Sequence, residues 1–271
     1  MFGNAARSIW EHWLPPDEQN RIHLATRALL VTTQKENILF EAGIGAYMEP
    51  KYRDRYGVAK AEHVLLKSLA ERGISQGDIT RIICSHLHFD HAGGLLTPWQ
   101  AGREPDLLFP NAEYHVSELA WERASHPHPR DKASFIPQLQ LKLEQSHRLK
   151  LISKGDVLSF DELELHFYQS DGHTPGLLCS DLRFGKERLI FASDLIPGRF
   201  WVHLPISMGY DRFPELLIDE KNTLLTSVVR ENAWIFYTHD PDFAASKVRY
   251  DNEHKTFTAV DCQENLGISW L

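Results

Sequence analysis

Between residues 28 and 41 the apolar positions fall into two short β-rich runs, Ala28-Leu29-Leu30-Val31-Thr32-Thr33 and Asn37-Ile38-Leu39-Phe40-Glu41. The polar Gln34-Lys35-Glu36 separates them, a pattern that predicts an early hairpin, closed off by Gly43 and Gly45. Val58, Ala61, Val64, Leu65 and Leu69 then recur at three- and four-residue spacing, which predicts an amphipathic helix from Val58 to Arg72 with Gly73 as its C-cap. Short apolar runs predict strands from Arg81 to Ser85, Glu113 to Val116, Leu149 to Ser153, Leu163 to Gln169, Leu177 to Phe184 and Arg188 to Ala192. A helix from Pro214 to about Val229 and a last buried strand from Ala233 to Tyr237 complete the pattern. Strands interleaved with helices on this scale predict an α/β layered fold. No internal repeat or low-complexity linker interrupts it, so residues 1–271 read as a single domain.

The strand at Arg81 runs directly into Ser85-His86-Leu87-His88-Phe89-Asp90-His91-Ala92-Gly93-Gly94, where His86, His88, Asp90 and His91 are all competent to bind metal. An apolar strand that ends in such a cluster puts ligands on a rigid base, and alternate residues such as His86 and His88 can share one side if the extended conformation continues. Gly93-Gly94 leaves room beside them. His173 in Gly172-His173-Thr174-Pro175-Gly176, Asp194 in Ala192-Ser193-Asp194 and His239 in Thr238-His239-Asp240-Pro241 each follow an apolar run and precede a turn. Side chains delivered in this way converge on one edge of a sheet, where an α/β fold tends to carry its site.

Composition narrows the function classes. A formal charge of -8 and the lack of any Lys/Arg run argue against nucleic acid as a partner. No stretch of about eighteen apolar residues predicts a membrane span, and Met1 to Trp10 lacks the pattern of a cleaved signal, so a cytoplasmic location is expected. Cys84, Cys179 and Cys262 are isolated from one another and read as small buried hydrophobes rather than a disulfide framework.

The order HxHxDH, then His, Asp and His, resembles the metallo-β-lactamase superfamily. The segments Ser85–Gly94 and Gly172–Gly176 are most similar to its acyl-homoserine-lactonase-like branch. The resemblance implies a four-layer αβ/βα sandwich of two mixed sheets flanked by helices. It also implies that His86, His88 and His173 bind one divalent metal, that Asp90, His91 and His239 bind a second, and that Asp194 bridges them. Zinc is the expected metal, with iron and manganese also compatible with these ligands. The implied enzyme is a metal-dependent hydrolase in which a bridging hydroxide attacks a small ester or lactone carbonyl, with Asp90 as the catalytic group that passes the proton to the leaving group. The alternatives are a phosphoester or organophosphate hydrolase, and an iron-dependent, sulfur dioxygenase-like oxidoreductase. Family members are often dimers, so a homodimer stays open.

Two features depart from the family pattern. Pro197 stands where these lactonases carry a tyrosine, a role for which Tyr210 is a candidate, and Glu41 stands where an Asp is usual, so its longer carboxylate is expected to support the ligands from behind. The stretch Trp201, His203, Met208, Tyr210 and Phe213 could line a pocket for a small-molecule substrate with an apolar part, or belong to the core. Two motifs read as decoys. Gly73-Ile74-Ser75-Gln76-Gly77 matches GxSxG but follows a helix, and His126-Pro127-His128-Pro129 reads as a solvated extended loop.

Overall fold

The computed structural model describes residues 1–267. A short helix α1 (Arg7–Trp10) precedes the hairpin expected at residues 28–41, which is formed by β1 (Leu29–Thr32) and β2 (Asn37–Phe40). Next come α2 (Pro50–Tyr56), α3 (Val64–Ala70), β3 (Arg81–Ile83), α4 (Phe89–Ala92), β4 (Glu113–Ser117), α5 (Glu118–Ser125), α6 (Pro137–Gln145) and β5 (Leu149–Ile152). The remaining elements are β6 (Val157–Phe160), β7 (Leu163–Ser170), β8 (Leu177–Phe184), β9 (Glu187–Phe191), α7 (Pro214–Arg230), β10 (Trp234–Phe236), β11 (Ala245–Asp251) and β12 (Thr256–Gln263). The class is α/β, with two mixed sheets flanked by helices. Among the described residues no helix is long and apolar enough to cross a membrane.

The chain divides into two units. One is Thr26–Ser153 and contains a five-stranded sheet in the order β1-β2-β3-β4-β5, antiparallel only at the hairpin. Its parallel strands are apolar runs buried among Leu39, Ile82, Tyr114, Val116 and Leu139, and each such side chain contributes about 1.5–3 kcal/mol on burial. In the parallel register Phe40 lies opposite Ile83. Glu41 and Ser85, one and two residues further on, therefore emerge side by side at the same sheet edge.

The other unit joins Met1–Ala25 to the chain from Lys154 onward and contains a seven-stranded sheet in the order β12-β11-β10-β9-β8-β7-β6. Its one parallel pair is β9 with β10, in register at Phe191 and Phe236. Asp194 and His239 each follow by three residues, so the register delivers both to one edge. The core behind them includes Ile190, Trp201, Leu225 and Ile235.

Several expectations require correction. The helix expected from Val58 starts at Val64, because the His63 side chain accepts from the Leu66 backbone N–H and caps it there. It also ends early, at Ala70 with Glu71 as its C-cap, so Gly73, at φ +72°, lies in the turn beyond the cap and not at the cap. Ala233–Tyr237 does contain a strand, but it is not the last, since β11 and β12 form a further hairpin. Cys84 and Cys179 are buried, whereas Cys262 is only half-buried. Trp201 and Met208 belong to the core, while Tyr210 is 64% exposed and Phe213 is exposed too.

Candidate metal centre

In the unit Thr26–Ser153 the chain leaves β3 and turns into α4, with His88 still extended (φ -65°, ψ 152°) just before the helix. His86 and His88 do face each other, with His86 Nε2 3.0 Å from His88 Nδ1. That spacing fits two donors on one ion at about 2.0–2.1 Å each. Asp90 sits in the first turn of α4, and its Oδ2 lies 3.7 Å from His91 Nε2. The space beside Gly93-Gly94 is not open: a Cβ on Gly94 would meet the Ala42 carbonyl oxygen at 2.1 Å, so these glycines let the loop after β2 pack against the ligand run.

Glu41 holds this half from behind. It is buried, with φ +63°, and its Oε2 accepts from His91 Nδ1 at 2.8 Å. Its Oε1 accepts from Ser85 Oγ, which in turn accepts from His86 Nδ1 at 2.8 Å. One carboxylate thus fixes the ring direction of two histidines and turns both Nε2 atoms away from it, as outer partners of metal-binding imidazoles do. Glu41, His86 and His91 are close enough to form a donor group on their own, but both carboxylate oxygens of Glu41 are already committed to hydrogen bonds. Glu41→Gln, which turns one acceptor into a donor, is expected to weaken divalent-ion affinity about 10–100-fold in a chelator competition. Wild-type affinity would show that the two rings need no such support.

In the other unit His173, Asp194 and His239 come together. Asp194 Oδ2 lies 3.2 Å from His173 Nε2, and Asp194 Oδ1 lies 3.1 Å from His239 Nε2. Each imidazole again has an acceptor on its far side. His173 Nδ1 donates to Asp211 Oδ1 at 2.9 Å, and His239 Nδ1 donates to the Ala25 carbonyl at 2.7 Å. Pro197, at the position of the missing tyrosine, accepts from the His239 backbone N–H at 2.8 Å. Imidazoles whose Nε2 atoms face carboxylate oxygens, with each Nδ1 on a separate acceptor, form a donor set suited to divalent ions such as zinc.

Asp211 was not singled out in the sequence, nor were Ser85 and the Ala25 carbonyl given supporting roles. Ser85 stands next to the ligand run, the one signal that could have found it. Among the decoys, Ser75 Oγ donates to Asp78 in a capping box and is occupied structurally. His126 is exposed beside Glu122, and His128 is exposed as well.

A family model described as the metallo-beta-lactamase superfamily matches residues 23–239. An N-acyl homoserine lactonase of Bacillus thuringiensis is 28% identical over 182 residues, which is 66% of this chain. The chain spans 63% of that relative's length. A structure of a probable metal-dependent hydrolase from Staphylococcus aureus superposes with a TM-score of 0.83 at 25% identity, covering 99% of this chain and 92% of that one. A dizinc quorum-quenching lactonase in complex with a product superposes with a TM-score of 0.70 at 25% identity, covering 90% and 80%.

Proposed function

The chain belongs to the metallo-beta-lactamase superfamily, and from that premise we propose that it is a metal-dependent hydrolase that opens a small carboxylic ester or lactone. In this reading the whole chain is one catalytic domain. His86, His88 and His173 would hold one divalent ion and Asp90, His91 and His239 another, with Asp194 available to both, zinc being the ion that suits this set. The observation that carries the reading is the Asp194 carboxylate, each of whose oxygens faces a different imidazole Nε2, at 3.2 and 3.1 Å. Divalent ions held there would supply Lewis acidity to acidify a water and polarise the substrate carbonyl.

The side chains do the rest. Glu41, Asp211 and the Ala25 carbonyl keep the histidine rings aimed at the ions. Asp90 orients the attacking water, takes its proton and returns it to the leaving oxygen. One C–O bond forms to the water oxygen and the C–O bond to the leaving group breaks, giving an acid and an alcohol, or a single hydroxy acid from a lactone. The names of the relatives support carbonyl chemistry. So does the charge pattern, because residues 85–94, 171–176, 191–196 and 236–241 contain no Lys or Arg to meet the extra charge of a phosphate monoester or diester.

The substrate's apolar part has a candidate place. A cavity of about 410 Å³ is lined by Phe2, Trp10, Ile22, Gly209 and Tyr210, among others, within the usual range for ligand pockets of about 300–1,000 Å³. Tyr210 adjoins Asp211, the acceptor behind His173. If an acyl chain lies there, kcat/KM rises about fourfold per added methylene, from about 0.8 kcal/mol each. Gly209→Leu flattens that dependence, since a Cβ at Gly209 meets only Gly3 Cα, at 3.8 Å. The direct test is proton release from short- and long-chain acyl homoserine lactones by the zinc-loaded protein. Turnover is expected, and no turnover with both ions bound would shift the reading to phosphotriesters.

A further inference from the structure

Lys221 lies in the middle of α7 and is 0% exposed, on the face that also buries Leu217, Leu224, Leu225 and Val228. A lysine is almost never so deeply buried unless it is paired, and burial lowers its pKa to about 7. A methionine would fill the same place without that cost. What the ammonium touches suggests why a lysine is there. Its Nζ donates to the Ile206 carbonyl at 2.5 Å and to the His203 carbonyl at 3.3 Å, and Asp211 is the charge that favours its protonated form.

These contacts lead to His173. The segment held by Lys221 continues to Met208, whose N–H donates to Asp211 Oδ2 at 2.6 Å, while Asp211 Oδ1 accepts from His173 Nδ1. Beyond Asp211, the Arg212 and Phe213 N–H groups donate to the His173 and Gly172 carbonyls at 3.2 and 2.8 Å. The preceding residue of α7, Glu220, accepts from Ser170 Oγ and from the N–H groups of Asp171 and Gly172 at 2.6, 2.8 and 3.1 Å. Adjacent residues of one helix therefore hold the two segments that meet at His173. On its exposed side the 203–208 segment is tied down again by Asn4, which donates to the Pro205 carbonyl at 2.5 Å and accepts from the Ser207 N–H at 3.0 Å.

We propose that Lys221 is a positioning residue for His173. It fixes the 203–206 carbonyls and balances the buried Asp211 carboxylate, and Asp211 in turn sets the direction of the imidazole. This rests on the reading of His173 as a metal ligand.

The test is a zinc titration of the metal-free full chain against a chromogenic chelator, comparing wild type, Lys221→Met, Asp211→Asn and the double variant. The wild type takes up two equivalents. Lys221→Met weakens one of them about 10-fold and leaves the other unchanged, and Asp211→Asn weakens the same one by about 10–100-fold. The double variant is no worse than Asp211→Asn alone, because Lys221 acts through Asp211. Equal weakening of both equivalents, or additive losses in the double variant, would mark a packing role and overturn the proposal. So would wild-type affinity in Lys221→Met. Should Lys221→Met fail to fold, the exposed Asn4→Ala loosens the same segment, with about threefold weaker binding of the same equivalent expected and unchanged affinity contradicting it. A wild type that takes up fewer than two equivalents contradicts the metal assignment itself, which is a different failure from two equivalents and an indifferent Lys221→Met.

Discussion

Asp194→Asn is expected to reduce kcat/KM on a lactone or ester by about 10³-fold or more, equivalent to about 4 kcal/mol of transition-state stabilisation, and to leave fewer than two ions bound per chain. The reason lies in the two oxygens of this carboxylate, one facing His173 Nε2 and the other His239 Nε2. An asparagine of the same shape keeps one oxygen and replaces the other with an amide nitrogen, which is not a ligand for zinc. It also removes the negative charge that would partly offset two cations bound beside it. Elemental analysis beside steady-state kinetics reads both effects. A variant with two ions and wild-type turnover would mean that Asp194 bridges nothing.

Asp90→Asn is the second large effect. Proton transfer by a positioned side chain is worth about 10²–10⁴-fold, and Asp90 is placed to provide it: its side chain is 30% exposed, unlike the deeply buried His91 beside it. The loss should fall on kcat and should depend on the leaving group. An alkoxide departing from a lactone needs the returned proton, whereas an activated phenolate hardly does, so the variant should lose far more on lactones than on aryl esters. Equal losses on both would show that Asp90 serves only as a ligand.

What the sequence revealed of this site follows the distance over which its physics acts. His86, His88, Asp90 and His91 were legible because they lie within one short run behind an apolar strand. Asp194 and His239 were legible because each ends a buried strand, and the parallel pairing of Phe191 with Phe236 brings those ends together. Asp211 was not legible. It lies in a stretch that reads only as pocket lining or core, and it reaches His173 only through the tertiary fold. Lys221 was equally hidden, since a lysine in a helix normally reads as solvated.

The fold shows the same division. Helix α7 could be read because its 17 residues are long enough for an apolar face to repeat. Helices α2, α5 and α6 have seven, eight and nine residues, too few for the period to stand out. In β11, Lys247, Arg249 and Asp251 alternate with Val248 and Tyr250, a period-two pattern that does signal a half-solvated strand; it was passed over because the strands were read from continuous apolar runs such as that of β8. Helix α3 was read too long because Val58 and Ala61 kept the period through the non-helical residues ahead of His63, the residue that caps the helix.

The central claim, that these seven side chains hold two ions, is tested most directly by anomalous diffraction at the zinc edge from crystals of the zinc-loaded protein. The expected result is two peaks, one within about 2.0–2.2 Å of His86, His88 and His173 donors and one within that distance of Asp90, His91 and His239, with an Asp194 oxygen on each. A single peak, or peaks away from these residues, would contradict it.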